Sequence, residues 1–148
     1  MTKDVLVKIT GAHLMEGETE NLSVITGGNY YYKNGKHYVI YEELMDEDGG
    51  VIRNTIKAGS DEVDIIKSGG TRAHMMFRVH ETNVSCYITP YGQMMIGVAT
   101  DRIRISEEED KLHIQIDYTL EINYESATQC QIDIEVCSKA TAKLNLND

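Results

Sequence analysis

Residues 111–124 read KLHIQIDYTLEINY, and every even position from Leu112 to Tyr124 is apolar or aromatic. His113, Gln115, Asp117, Thr119, Glu121 and Asn123 fill the places between them. Successive side chains of a strand point to opposite faces, whereas a helix would scatter these residues around its circumference. The segment is therefore a strand with one buried face and one wet face. At roughly 3.3 Å per residue it spans on the order of 45 Å, so it has to bend across two neighbours as barrel strands do.

The rest of the chain repeats the two-residue rhythm in shorter runs. Val5, Val7 and Ile9 mark a first strand ending near Gly11, and 16–20 (EGETE) is a charged turn. Residues 22–33 carry Gly27 and Gly28, which predict a kink or bulge at a barrel corner. In YYYKNGKHYVIY, Asn34 and Gly35 tolerate positive φ and are flanked by strand formers, predicting a type I′ hairpin with a return strand over 36–44. The acidic loop MDEDGG follows, then short strands over 51–58 and 62–67, and a turn at 68–70.

Met75, Phe77 and Val79 share a face, which places the single Phe in the core. Over 83–89 the expectation is Val84, Cys86 and Ile88 inward. Pro90, Tyr91 and Gly92 turn the chain into a strand whose Met94, Ile96 and Val98 share a face. Beyond Thr100 the apolar parity switches to Ile103 and Ile105, so one inserted residue, a β-bulge, is predicted near Asp101 or Arg102. SEEED, 106–110, reads as a solvated turn, and 125–127 as the turn into a last strand carrying Cys130, Ile132, Ile134 and Val136. About eight to ten strands without helical periodicity describe an all-β, antiparallel up-and-down meander, and closure into a barrel hides its two edges, with a two-sheet sandwich as the alternative that the long bent strands disfavour. One domain spans 1–148, with 140–148 a short edge or frayed tail.

Nine Tyr against one Phe and no Trp make the core part polar, because a buried tyrosine hydroxyl needs a partner. A formal charge of −10 argues against nucleic acid and anionic membrane as partners. Asp4 and Lys8 interrupt the opening MTKDVLVKIT, so no leader or span is read there. Three widely spaced cysteines make no disulfide framework and suit a reducing, cytoplasmic setting.

The motifs GGNYYYKNGKHYVIYEE, IIKSGGTRAHMMF and YITPYGQMMIGVAT, followed by two long alternating strands, resemble the YwiB-like family of small bacterial proteins. The resemblance covers about residues 5–139. It implies a calycin-like β-barrel akin in fold to lipocalins, and no reaction, since the family is a domain of unknown function.

Chemistry-bearing motifs are sparse. The five histidines include no pair two residues apart, the spacing that puts two ligands on one strand face, so no metal site is expected. His74, His80 and His113 are read as outward and His37 as lying beside the hairpin turn. The run at 46–50, DEDGG, lacks the spaced oxygens and distal Glu of a calcium loop. No phosphate loop or GxSxG occurs, hence no cofactor and no nucleophile is expected. Cys86 is read as an inert core thiol and Cys137 as the outward, labelled one. Of Glu42 and Glu43, one must point inward: Glu42 with Tyr38 and Ile40, or Glu43 with Val39 and Tyr41.

Three functions are carried forward. The first is a non-enzymatic module binding a small apolar or part-polar molecule, with candidate contacts Tyr38, Tyr41, Glu42, Glu43, Met75, Phe77 and Tyr91. The second is an interaction module with a packed barrel, a homodimer or a complex formed through the outer face or an edge such as 22–25. The third is a proton-transfer enzyme using an inward Glu with Tyr91 or Tyr38.

Overall fold

The structure is a computed structural model that describes residues 3–15, 18–44 and 50–140, with side chains not described at 12–15, 18–22 and 126–127. Ten antiparallel strands follow in chain order: β1 (Asp4–Met15), β2 (Glu18–Lys33), β3 (Lys36–Leu44), β4 (Val51–Gly59), β5 (Glu62–Gly69), β6 (Ala73–Arg78), β7 (Thr82–Thr89), β8 (Gly92–Glu108), β9 (Lys111–Ile122) and β10 (Glu125–Ser138). Each strand pairs with its sequence neighbours except at one place, and β1 also pairs with β10 from Val5↔Ser138 to Leu14↔Gln129. The sheet is therefore a nearly closed up-and-down barrel. Its circle is sealed between the first and last strands and interrupted inside a hairpin, between β6 and β7. There a single bridge remains, with Arg72 N–H donating to Ile88 O at 2.9 Å and Ile88 N–H to Arg72 O at 2.8 Å.

The two-residue rhythm of β9 decides the core. Leu112, Ile114 and Ile116 are fully buried and Tyr118 nearly so, while His113, Gln115 and Asp117 are on the other face. They meet Val5, Val7, Val39, Ile56, Val63, Phe77, Val98, Ile134 and Val136 from the other strands. Phe77 packs edge-on against Tyr118 with ring centroids 5.1 Å apart. Burying such aliphatic and aromatic side chains contributes roughly 1.5–3 kcal/mol each, which makes this interior the main source of stability.

Several local expectations are met. Asn34 (φ 53) and Gly35 (φ 77) form the predicted hairpin turn between the paired Lys33 and Lys36. The ladder between β8 and β9 skips one residue between Thr100 and Arg102, so Asp101 is the bulge that the parity switch predicted. The acidic loop at 45–49 lies outside the described residues.

Other expectations are corrected. On β7, Asn83, Ser85 and Tyr87 stand opposite Val98, Ile96 and Met94 and face inward, so Val84, Cys86 and Ile88 face out. Beside an incompletely paired junction, the inner face is set by cross-strand register to β8 rather than by the more apolar parity. Cys86 is thus half-buried on the outside, with its thiol 3.4 Å from Gln93 Oε1. Cys137 is half-buried and burial pushes its thiol pKa up, which opposes its reading as the readily labelled cysteine. Residues 106–108 continue β8 instead of turning, because they pair with His113, Leu112 and Lys111. The turn between β9 and β10 is at Asn123 (φ 51) and Tyr124 (φ 64) rather than at 125–127. Gly27 and Gly28 keep an unbroken ladder to Leu6 and Val5, so they form no bulge. They mark instead the place where β2 parts from β3, whose last shared pair is Asn29↔Ile40.

Candidate functional site

The inward face of β3 is read directly from its pairing. His37, Val39 and Tyr41 are buried, while Tyr38 and Glu42 stand outside. The second of the two registers considered for Glu42 and Glu43 therefore holds, and Glu42 is exposed. Glu43 turns inward, where Asn54 Nδ2 donates to its Oε1 at 2.7 Å and Lys67 Nζ does so at 3.0 Å. Lys67 also donates to Asn54 Oδ1 at 2.8 Å. Asn54 is fully buried, and this mutual bonding is what makes its amide and the Lys67 charge tolerable in the interior.

The structure disperses the seven candidate contacts. Tyr41, Glu43, Met75 and Phe77 face inward on β3 and β6. Phe77 has no exposed surface and is a core residue. Tyr38 lies outside, stacked on Tyr31 at 4.7 Å between centroids, with Lys57 Nζ 5.8 Å from its ring. Tyr91 stands in the β7–β8 turn, 81% exposed. Tyr41 and Glu42 line one described concavity, without Tyr38, Glu43, Met75, Phe77 or Tyr91.

A polar concavity is at the opposite end of the barrel, where the Asn34–Gly35 and Ser60–Asp61 turns approach β8. A cavity of about 380 Å³ opens there between Gly35, His37, Gly59, Asp61, Ile103 and Ile105. Its floor is His37, which is only 6% exposed and so corrects the reading of a histidine merely beside a turn. Its Nδ1 is 2.7 Å from the Tyr30 hydroxyl, and its ring packs edge-on against Tyr32 at 5.0 Å. Nε2 looks along the mouth toward Glu107 Oε2 at 3.7 Å.

Burial disfavours the charged forms here. It lowers the His37 pKa, against the opposing effect of Glu107, and raises that of Tyr30, with Glu107 adding to the rise. Near neutral pH both groups are uncharged. When the Tyr30 hydroxyl donates to Nδ1, the ring proton is on Nε2 and points into the mouth. At 3.7 Å the approach of Glu107 is too long for a hydrogen bond, so that N–H is left available to another acceptor. One inner position deeper along β8, Thr100 carries a buried hydroxyl that finds no protein partner. Neither His37 nor Tyr30 stood out in the sequence; the signal was their parity, since His37 alternates in step with Val39 and Tyr41.

His74 and His113 are outside, as expected, and bond to Asp64 at 2.8 Å and Asp133 at 2.9 Å. Among the described residues no group of three or more His, Cys, Asp or Glu side chains is placed to hold a metal ion. No described helix is long and apolar enough to cross a membrane.

Comparison with known proteins agrees with this architecture. A family model for a domain of unknown function, DUF1934, matches residues 7–134. The uncharacterized β-barrel protein YwiB of Bacillus subtilis (strain 168) is 26% identical over 110 residues, covering 74% of this chain and 76% of that protein. The crystal structure of the ywiB protein from Bacillus subtilis aligns with a TM-score of 0.81 over 92% of each chain at 21% identity, a likeness of fold. With a match across nearly all ten strands and the same barrel beneath it, the chain belongs to the DUF1934 family of YwiB-like β-barrel proteins.

Proposed function

We propose that the protein is a non-enzymatic binding module that takes one small, part-polar molecule at the mouth floored by His37. The observation that carries this reading is a buried, uncharged imidazole held by Tyr30, with its second nitrogen turned into an open cavity of about 380 Å³. Ile103 and Ile105 supply an apolar wall, and Asp61 and Glu107 border the opening. That lining favours a neutral or cationic guest with an apolar body and an acceptor oxygen for the imidazole N–H. A net charge of −10 supports the exclusion of nucleic acid, and three cysteines outside any disulfide support a reducing, cytoplasmic setting.

The experiment is native mass spectrometry of protein isolated from its own cells. A retained molecule is expected above the 16.7 kDa chain. It is expected to vanish in Ile105→Trp, which fills the mouth from a half-buried position. A bare chain, together with no movement of the His37 ring signals across a library of small polar and amphipathic compounds, would refute the reading.

Proton transfer has less support. Glu42 is outside the barrel, and Glu43 is already bonded to Asn54 and Lys67 rather than to Tyr38 or Tyr91. A role in protein interaction is favoured by a separate observation: beyond Asn29, β2 pairs with β1 alone, and Val24 and Ile25 there are 51% and 62% exposed.

A further inference from the structure

The parting of β2 from β3 leaves a cleft with chemistry of its own. Asn29↔Ile40 is the last pair the two strands share, yet β2 runs back to Glu18 and β3 runs on to Leu44. In a two-residue hairpin the pair flanking the turn exchanges both hydrogen bonds, and bonded pairs then recur at every second residue. From Lys33↔Lys36 the bonded pairs are Tyr31↔Tyr38 and Asn29↔Ile40, so the next groups aimed across the gap are those of Glu42 and Leu44 on β3 and Gly27 and Ile25 on β2. Neither series is met by the other strand. The wedge between them encloses about 630 Å³.

Two cations border this wedge, Arg53 from the outer face of β4 and Lys139 from the end of β10. Lys139 Nζ lies beside Gly27, 3.8 Å from where a Cβ would stand, an ordinary contact distance. Among the described residues, no carboxylate is within ion-pair distance of either cation. Among the described residues the wall carries two cations against one acid, Glu42, which stands opposite Arg53 in the β3–β4 ladder. Open strand edges recognise extended backbone, and unpaired cations beside them select carboxylates.

We infer that the β2–β3 cleft receives an extended, acidic peptide segment of a partner protein, added as a strand along the open groups of β3 or β2, with its carboxylates between Arg53 and Lys139. Main-chain pairing supplies most of the contact, and the two cations set the charge preference. The mouth floored by His37 is built from other residues, so the two sites stand or fall separately. A second copy of this chain is a poorer occupant, because each copy carries the same strong negative charge.

The test uses the full-length, isotope-labelled protein and blocked peptides alternating valine with glutamate or valine with lysine, followed by amide NMR shifts. The valine–glutamate peptide is expected to move and protect the amides of Ile25, Gly27, Glu42 and Leu44. The valine–lysine peptide is expected to leave them in place. An N-methylated valine–glutamate peptide, unable to pair along its backbone, is expected to bind weakly or not at all. Arg53→Glu combined with Lys139→Glu, both at exposed positions, is expected to weaken binding by about tenfold with the remaining spectrum unchanged. Absence of shifts at millimolar peptide would overturn the inference. Equal binding of the lysine peptide, full binding after N-methylation, or the same shifts from glutarate alone would do so as well. Loss of the cleft amide signals through dimerisation of the chain itself, with no effect of peptide, would assign the edge to a second copy instead.

Discussion

The hydroxyl of Tyr30 and Nδ1 of His37 are 2.7 Å apart inside the barrel, on neighbouring strands seven residues apart in sequence. Because burial lowers the His37 pKa from its ordinary 6.5, the unfolded chain takes up a proton more readily than the folded one. Stability from this group is therefore intact above that value and falls as pH drops through 6.5 toward the folded pKa. Urea midpoints measured from about pH 7.5 down to about pH 5 are expected to fall more for the native chain than for His37→Gln. An NMR titration of the ring should give a midpoint below 6.5. A midpoint above that value would show that Glu107 outweighs burial.

Asn54 joins Glu43 to Lys67 with no solvent contact of its own. Asn54→Ala is expected to cost about 2–3 kcal/mol in denaturant unfolding, since it removes two hydrogen bonds and leaves a cavity. Lys67→Met leaves Asn54 Oδ1 without its donor but makes no comparable cavity, and the Glu43 side chain it abandons is 40% exposed and can be hydrated, so it should cost less. Equal losses would mean that the ion pair, not the buried amide, holds this end of the barrel.

Thr100 is the reverse case: its hydroxyl is buried and has no protein partner. Thr100→Val keeps the shape and removes the unmet group, so it should raise stability by about 1 kcal/mol. A drop of similar size would point to a buried water bonded to that hydroxyl.

Between β6 and β7 only Arg72 and Ile88 exchange backbone hydrogen bonds. Alternation then aims the amides of His74 and Met76, and of Val84 and Cys86, into the unpaired junction. In hydrogen exchange these four are expected to exchange early, while amides of the β9–β10 ladder persist to the global unfolding limit. Protection of all four equal to that of Ile114 would show the barrel to be fully closed in solution.

Much of this architecture was legible in the chain. The alternation from Leu112 to Tyr118 reports which side chains share a face, because a strand has a strict period of two. The Asn34–Gly35 turn was legible from its tolerance of positive φ, and the Asp101 bulge from a parity switch that only one extra residue can produce. Alternation does not say which of the two faces is inside. On β7 it favoured Val84, Cys86 and Ile88, whereas pairing with β8 turned Asn83, Ser85 and Tyr87 inward. On β3 it left Glu42 and Glu43 as alternatives until register to β4 placed Glu43 beside Asn54 and Lys67.

By itself the amino-acid order determined a meander of antiparallel strands, the Asn34–Gly35 turn and the central core, since these follow from neighbours along one strand. Only the tertiary structure decided that the circle seals between β1 and β10 and loosens between β6 and β7, that His37 floors a mouth, and that β2 parts from β3 beside Arg53 and Lys139. Each of those depends on register and closure among strands far apart in the chain, where pairing is chosen by the packing of the whole interior and leaves no local trace in composition or periodicity.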